Sequence, residues 1–266
     1  MRQIRAPGNS RHSPRWRPQN TEEMQVAPDS SPAPLSLTDL LGRLEKFHGP
    51  QEPGFPVDPY QFLIWWLCGY PASDAACAKG WSALKSSVGI EPAQLLRASP
   101  AVLAAALKHG GMVPELRALR LKEVAERVLN EYGGDLRSGL VGPIVSVRKA
   151  LKQFPNIADP GADRILLFGR IAPVAAVPSN CPHVLTRIDL GRDDQTYSDQ
   201  YRHAQQRIEA EVPAQFHARS RAYLLLKAHG QTICKRTKPK CAECPVNANC
   251  VYPARAAVGR AGPGKS

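Results

Sequence analysis

Four of the seven cysteines lie close together near the C-terminus. Cys234, Cys241, Cys244 and Cys250 fall within 17 residues, with the spacing C-x6-C-x2-C-x5-C. Four thiolates held together without a cation would repel one another strongly. The spacing therefore indicates that the four sulfurs bind a soft metal ion or a metal cluster.

Two kinds of metal centre are compatible with four cysteines. Zinc ribbons usually supply two close pairs, C-x2-C and C-x2-C, whereas this chain has one close pair with long flanking spacers and no histidine between them. Cysteine-only ligation with this asymmetric spacing favours a [4Fe–4S] cluster, and zinc is the alternative. The other three cysteines, Cys68, Cys77 and Cys181, are predicted to be small buried hydrophobic residues.

Positive charge is concentrated around these cysteines. The chain carries a formal net charge of +12, and residues 234–266 hold seven basic residues against the single acid Glu243. This distribution favours a polyanionic partner over charge that only aids solubility. The segment KRTKPK, residues 235–240 and here called the basic loop, is predicted to contact phosphates through Lys235, Arg236, Lys238 and Lys240; a solvated run of charge is the alternative.

The chain divides into a central folded region between two tails. Residues 1–34 are rich in Pro, Arg and Ser without an apolar period, which predicts a disordered basic tail, and residues 251–266 are predicted to form a flexible tail. Between them we expect a helical domain over 35–233 and a metal-cluster loop over 234–250. No apolar run approaches the ~20 residues of a membrane span. The N-terminal residues are charged without an apolar stretch behind them, and we expect that they are not a secretory signal. We therefore expect an intracellular, reducing location, in the cytoplasm or on the nucleoid.

Proline following a polar side chain predicts where several helices begin. Asp58-Pro59 and Ser99-Pro100 each supply an N-cap followed by proline at the first helical position. A longer helix is expected from Pro114 to the glycines at 133 and 134, with Leu116, Leu119 and Val124 on its apolar face. Other helices are predicted from Pro143, from Asp159-Pro160, and over 197–211 and 213–229. Because no run alternates with period two, the fold class predicted is all-α.

The cysteine spacing and several upstream segments resemble one known family. VPAQF (212–216) and YLLLKAHGQTIC, which runs into the cysteines, are similar to the last helix and iron–sulfur loop of endonuclease III and its relatives, the helix-hairpin-helix (HhH-GPD) DNA glycosylases. Weaker similarity covers residues 55–253. The segment LCGYPASD (67–74) matches a helix junction at the family's active site. FPNIADPGADRILLFG (154–169) matches the hairpin, and AAVPSN (175–180) matches the motif that bears the catalytic aspartate.

The resemblance carries expectations for fold, partner and activity. It implies a two-lobed fold, in which a six-helix lobe and a lobe carrying the iron–sulfur loop flank a groove for double-stranded DNA. The family's activity is that of a DNA N-glycosylase and abasic-site lyase in base excision repair, and we expect a monomer. In this family the cluster is structural or tunes redox properties, and it holds a loop whose basic residues touch the DNA backbone.

Three positions that carry catalytic or DNA-inserting side chains in this family are prolines here. The chemistry needs a lysine amine to attack the sugar and a carboxylate to stabilise the positive charge that develops. Pro160 falls at the lysine, Pro178 at the carboxylate, and Pro71 at the glutamine that is wedged into the duplex. We therefore expect no catalytic residue at the family positions. An active glycosylase that uses other residues is one alternative, and a redox or zinc-binding module unrelated to DNA is another.

The hairpin also departs from the family pattern. Its usual glycines are replaced by Asn156 and Ala158, and Asp159 is expected as the N-cap of the next helix, which places an anion where a phosphate would otherwise be bound. Asn156 tolerates left-handed geometry and is the hairpin residue predicted to contact DNA. We expect hairpin-mediated DNA binding to be weaker than in the family while the scaffold is retained.

Overall fold

The computed structural model describes residues 35–193 and 195–253. The predicted tails therefore lie outside the described residues, except for 251–253. Within the described ranges the chain forms α-helices, three short 3-10 turns and no strand, which confirms the all-α prediction. No helix in this part of the chain has the length and apolarity needed to cross a membrane. The helices are α1 (Leu37–His48), α2 (Pro59–Leu67), α3 (Asp74–Ser87), α4 (Pro92–Arg97), α5 (Pro100–Leu107), α6 (Pro114–Tyr132), α7 (Leu136–Gly139), α8 (Ile144–Leu151), α9 (Asp159–Phe168), α10 (His183–Leu190), α11 (Tyr197–Glu211) and α12 (Phe216–Thr232).

Local capping fixes the predicted helix starts. The Asp58 carboxylate accepts a hydrogen bond from the amide of Gln61 (3.0 Å), and the Ser99 hydroxyl accepts one from the amide of Val102 (3.3 Å), so both residues are N-caps as predicted. Helix α6 ends at Gly133, whose φ of 58° is the left-handed geometry that glycine adopts readily. Helix α12 begins at Phe216, three residues later than expected, and continues to Thr232.

The apolar face of α6 was predicted wrongly in its first turns and correctly further on. Leu116 and Leu119 are exposed and Val124 is buried, while Arg117 and Leu121 are buried without having been predicted. The buried face is shifted because the Arg117 guanidinium turns inward and hydrogen-bonds to backbone carbonyls, which an apolar periodicity does not register.

The described helices surround two hydrophobic cores. Helices α2 to α9 bury one core, which includes Trp65, Leu84 and Leu121. Helices α1, α10 and α11 bury a second, which includes Leu40 and Ile208. Helix α12 contributes side chains to both cores. The two-lobed architecture is therefore built around a shared helix, and the cysteine loop follows directly from the end of that helix.

A buried carboxylate joins the lobes. Asp163 of α9 accepts hydrogen bonds from Arg148 of α8 (2.8 Å) and from the Tyr201 hydroxyl of α11 (2.8 Å). Burial raises the pKa of Asp163, and the Arg148 charge opposes that rise. The bond to Tyr201 crosses from one core to the other, so it fixes α9 relative to the second lobe.

Candidate cluster site and nucleic-acid interface

The four clustered cysteines line one cavity. Cys234 lies two residues beyond the end of α12, and the 3-10 turns Cys241–Glu243 and Asn247–Asn249 set the course of the chain that carries the other three. All four side chains face a cavity of about 330 Å³, a volume that includes its mouth. The structure thus brings together the residues that the spacing predicted as metal ligands.

Burial and polar neighbours set the chemistry of these thiols. Burial raises the pKa of Cys234, and raises that of Cys250 to about 12. Arg187 lies 3.7 Å from the Cys234 sulfur, and His229 Nε2 lies 3.6 Å from the Cys244 sulfur. In the described residues, no three Cys, His, Asp or Glu side chains stand close enough to share a single metal ion. The candidate metal donors are therefore four soft thiols that line one cavity, and the Arg187 guanidinium lies beside the Cys234 thiol.

A buried arginine fixes the backbone of the basic loop. Arg187 of α10 donates hydrogen bonds to the carbonyls of Lys235 (2.8 Å) and Arg236 (2.8 Å), and it pairs with Asp193. These contacts hold the main chain of the loop, and the side chains of all four of its cations remain exposed. Sequence reasoning missed Arg187 because nothing in its local pattern distinguishes it from a surface arginine of an amphipathic helix.

The hairpin between α8 and α9 differs in part from expectation. Asn156 has the left-handed φ of 61° that its residue type tolerates, but its side-chain nitrogen is buried without a hydrogen-bond partner. Asp159 is not the N-cap, as predicted, but the first residue of α9, and Ala158 holds the N-cap position. The Asp159 carboxylate pairs with Lys152 (2.7 Å). The predicted contact of Asn156 with DNA stays a prediction.

The three prolines occupy positions without reactive groups. Pro160 is the second residue of α9, where its missing amide costs no helical hydrogen bond. Pro178 is buried, and Pro71 is exposed in the turn between α2 and α3. None of the three side chains can act as a nucleophile or carry charge.

An exposed apolar tip lies beside the turn of Pro71. The side chains of Met112 and Val113 are 78% and 57% exposed at the start of α6. A Cβ placed on Gly111 would lie 3.3 Å from the Gly69 carbonyl and 3.4 Å from the Ala72 Cβ, so the two turns adjoin. Sequence reasoning missed this tip, although the segment GGMVP, with two apolar residues between a helix end and a helix start, is a signal that was available.

Arg117 holds the backbone of this tip. Its guanidinium donates to the carbonyls of Leu107 (3.0 Å), Gly111 (2.7 Å) and Met112 (3.0 Å), and also to the carbonyl of Cys68 at the end of α2. One buried side chain therefore ties the end of α2 to the turn that bears Met112.

We expect Arg117→Met to lower the free energy of unfolding by about 3 kcal/mol, because several buried carbonyls lose their donor at once. Urea denaturation of the purified full chain measures this loss. Arg120→Met, at a half-buried position one helical turn along α6, is the matched control and should change stability by less than about 1 kcal/mol. Equal effects of the two substitutions would show that the carbonyl contacts contribute little.

Comparison with known proteins rests on structure. No protein-family model matches the sequence, and no curated protein matches it significantly. A covalent endonuclease III–DNA intermediate superposes with a TM-score of 0.66 at 16% identity, over 84% of this chain and 99% of that one. A thermostable thymine-DNA glycosylase superposes with a TM-score of 0.65 at 22% identity, over 82% and 97%. The 3-methyladenine DNA glycosylase of H. pylori, bound to 1,N6-ethenoadenine, gives 0.51 at 16% identity, over 74% and 95%.

These similarities show the fold. The chain has the all-helical, helix-hairpin-helix fold of DNA glycosylases that the sequence resemblance implied, over nearly the full length of the endonuclease III and thymine-DNA glycosylase chains. Because one fold supports many activities, the function has to be argued from the site.

Proposed function

We propose that this protein is an iron–sulfur, duplex-DNA-binding protein on the endonuclease III scaffold that lacks the scaffold's lysine and aspartate chemistry. The proposal rests on one combination of features. The chain has the cysteine cavity, the basic loop and the apolar tip at Met112, and it has prolines at positions 71, 160 and 178. Structures of endonuclease III with the same fold are complexes with DNA, one covalent and one non-covalent. We place the protein in a reducing compartment, the cytoplasm or the nucleoid, as a monomer.

The cysteine cavity fits a [4Fe–4S] cluster in its donor chemistry. A cube binds one thiolate at each of its irons, so its four sulfur ligands need not converge on one ion as they do around zinc. Cys234, Cys241, Cys244 and Cys250 would hold it, and the cluster would supply a rigid cross-link between the end of α12 and the loop that follows. Zinc would be distinguished by metal analysis of the purified protein.

The DNA-binding face combines charge with an apolar tip. The cations of the basic loop are exposed on a backbone that Arg187 fixes, so little ordering entropy is lost when they meet phosphates. Met112 is placed to insert between base steps, as apolar side chains do in proteins that kink the duplex. Together these features favour a distorted or damaged duplex, in which opening the stack costs less free energy.

Chemistry at the usual positions is absent in this proposal. Formation of a Schiff base requires an amine within reach of the sugar, and the side chains of Pro160 and Pro178 offer neither the amine nor the carboxylate. A nucleotide turned out of the duplex would therefore be held without cleavage. The protein would mark or shield a lesion instead of processing it.

The test pairs a binding assay with borohydride trapping. The full chain should bind a duplex containing an abasic site more tightly than an intact duplex and form no covalent adduct when borohydride is added. Met112→Ser should reduce the preference for the abasic duplex roughly tenfold, because loss of the apolar contact costs about 1.4 kcal/mol. Met112 is almost fully exposed, so the melting temperature should not change.

Two outcomes would contradict the proposal. A borohydride-stabilised adduct would show that another amine of this chain performs the lyase chemistry. Binding that is equally weak for both duplexes and does not depend on salt would show that the scaffold no longer binds DNA.

A further inference from the structure

A small polar cavity lies where α3, α9 and α12 meet the segment that carries Pro178. Asp74 opens α3, Arg164 comes from α9, and Lys227 comes from α12. These three side chains line the cavity together with Ser179 and Asn180, and its volume is about 210 Å³ including the mouth. The cavity is distinct from the cysteine cavity and contains none of its four ligands.

Positive charge exceeds negative charge in this cavity. The Asp74 carboxylate pairs with Lys227 and, at 3.4 Å, with Arg164, and one oxygen of Asp74 accepts from both cations. Two cations therefore share one carboxylate. Arg164 is 3% exposed, and its Nε is buried without a hydrogen-bond partner.

Within the described residues, Arg164 pairs with one carboxylate, that of Asp74. Its guanidinium lies 3.7 Å from the centre of the Phe55 ring, and other aromatic rings pack nearby. Aromatic faces stabilise a cation, but they accept no conventional hydrogen bond from Nε. Burial lowers the pKa of Lys227, the Arg164 charge lowers it further, and Asp74 opposes both. An excess positive charge in a desolvated place is costly unless an anion or a polar ligand offsets it.

We propose that this cavity binds a phosphate group, with Arg164 and Lys227 as its cationic contacts. Ser179 and Asn180 carry hydroxyl and amide donors at the cavity wall, and such neutral donors commonly complete the coordination of a tetrahedral oxyanion. The phosphate comes either from solution or from a nucleic-acid strand. The inference does not depend on duplex binding, because inorganic phosphate alone tests it.

The first experiment titrates inorganic phosphate into the full chain at constant ionic strength and follows the melting temperature and the heat of binding. The wild type should show saturable stabilisation at millimolar phosphate. Lys227→Met should weaken binding at least tenfold, and Lys227→Arg should retain it. Lys85→Met, at an exposed site of α3 outside both the cavity and the basic loop, should leave phosphate binding unchanged. General stabilisation of proteins by phosphate is unsaturable and would be shared by every variant.

Asp74→Asn should tighten phosphate binding, whereas Lys227→Met should weaken it. Because misfolding cannot increase affinity, this variant keeps the test decisive. If Asp74 only neutralises structural cations, its removal should leave phosphate binding absent or unchanged. If the cavity is an anion site, removing the competing carboxylate should tighten phosphate binding roughly fivefold. Absence of saturable binding in the wild type, or a Lys227→Met variant that binds as tightly as the wild type, would overturn the proposal.

A second experiment identifies the source of the phosphate. Binding is compared for two nicked duplexes that differ only in a 5′-phosphate or a 5′-hydroxyl at the nick. A strand phosphate predicts tighter binding of the phosphorylated nick, and Lys227→Met should abolish that preference. Equal binding of both duplexes, together with saturable inorganic phosphate, assigns the cavity to free phosphate. Loss of duplex binding with phosphate binding intact would contradict the proposed function and leave this inference standing.

Discussion

Cys244→Ala should reduce the iron content of the anaerobically purified protein from about four atoms per chain to about three or fewer. The four thiols face one cavity, and a cube left with three cysteine ligands has an exposed iron that is readily lost. Without the cluster, the loop after α12 loses its cross-link and keeps only the packing of Val246 and its neighbours against the second core. We therefore also expect a lower melting temperature and weaker duplex binding, because the cations of the basic loop are no longer held in place. Metal analysis, visible absorption and thermal melting measure these effects.

Cys181→Ala is the matched control for that experiment. Cys181 is buried against α12 and lies outside the cysteine loop, so iron content should match the wild type. About one zinc per wild-type chain, in place of iron, would contradict the cluster and favour the zinc alternative. Unchanged iron in Cys244→Ala would show that this cysteine is not a ligand.

Features set by local sequence were predictable. Asp58 and Ser99 cap their helices through amides only three residues away, so a short window of sequence contains both partners. The cysteine spacing is likewise confined to one segment, and the structure brings its four side chains to one cavity. The all-α class followed from the same local signals.

Features that depend on distant partners were not predictable. Arg117, Arg164 and Arg187 are buried, and each has a partner far away in sequence: the Cys68 carbonyl, the Phe55 ring and the Lys235 carbonyl respectively. In a single sequence each reads as an ordinary helical surface residue. The shifted face of α6 is a consequence, since Arg117 takes a place that the apolar pattern assigned to its leucine neighbours.

The charge cluster at Asp74 could not be predicted from the sequence either, because its members are distant along the chain. Asp74 and Lys227 are separated by 153 positions in the chain, and only the fold places them in contact. Sequence reasoning looked for an amine and a carboxylate at the family positions and found Pro160 and Pro178. The structure instead lines the cavity beside Pro178 with two cations that share one carboxylate, an arrangement that no local sequence pattern reveals.

Replacing all four cations of the basic loop with glutamine should weaken binding to duplex DNA by roughly a hundredfold near 0.1 M salt. Each phosphate contact releases counterions, so the slope of log affinity against log salt should fall by about 1 for each cation that contacts DNA. The loop should keep its fold, because Arg187 bonds to main-chain carbonyls that glutamine retains. Iron content and melting temperature should therefore stay near those of the wild type. Fluorescence anisotropy across a series of salt concentrations measures both affinity and slope.

The control removes the same number of charges from exposed sites outside the loop, so net charge falls equally in both variants. If only general attraction to a polyanion is at work, the two variants should lose affinity equally, and the assignment of the loop would be wrong. If the loop is the contact surface, the control should keep most of the slope, because fixed geometry places phosphates within reach of the loop cations and not of the others. The control positions are Lys46, Lys79, Lys85 and Arg97.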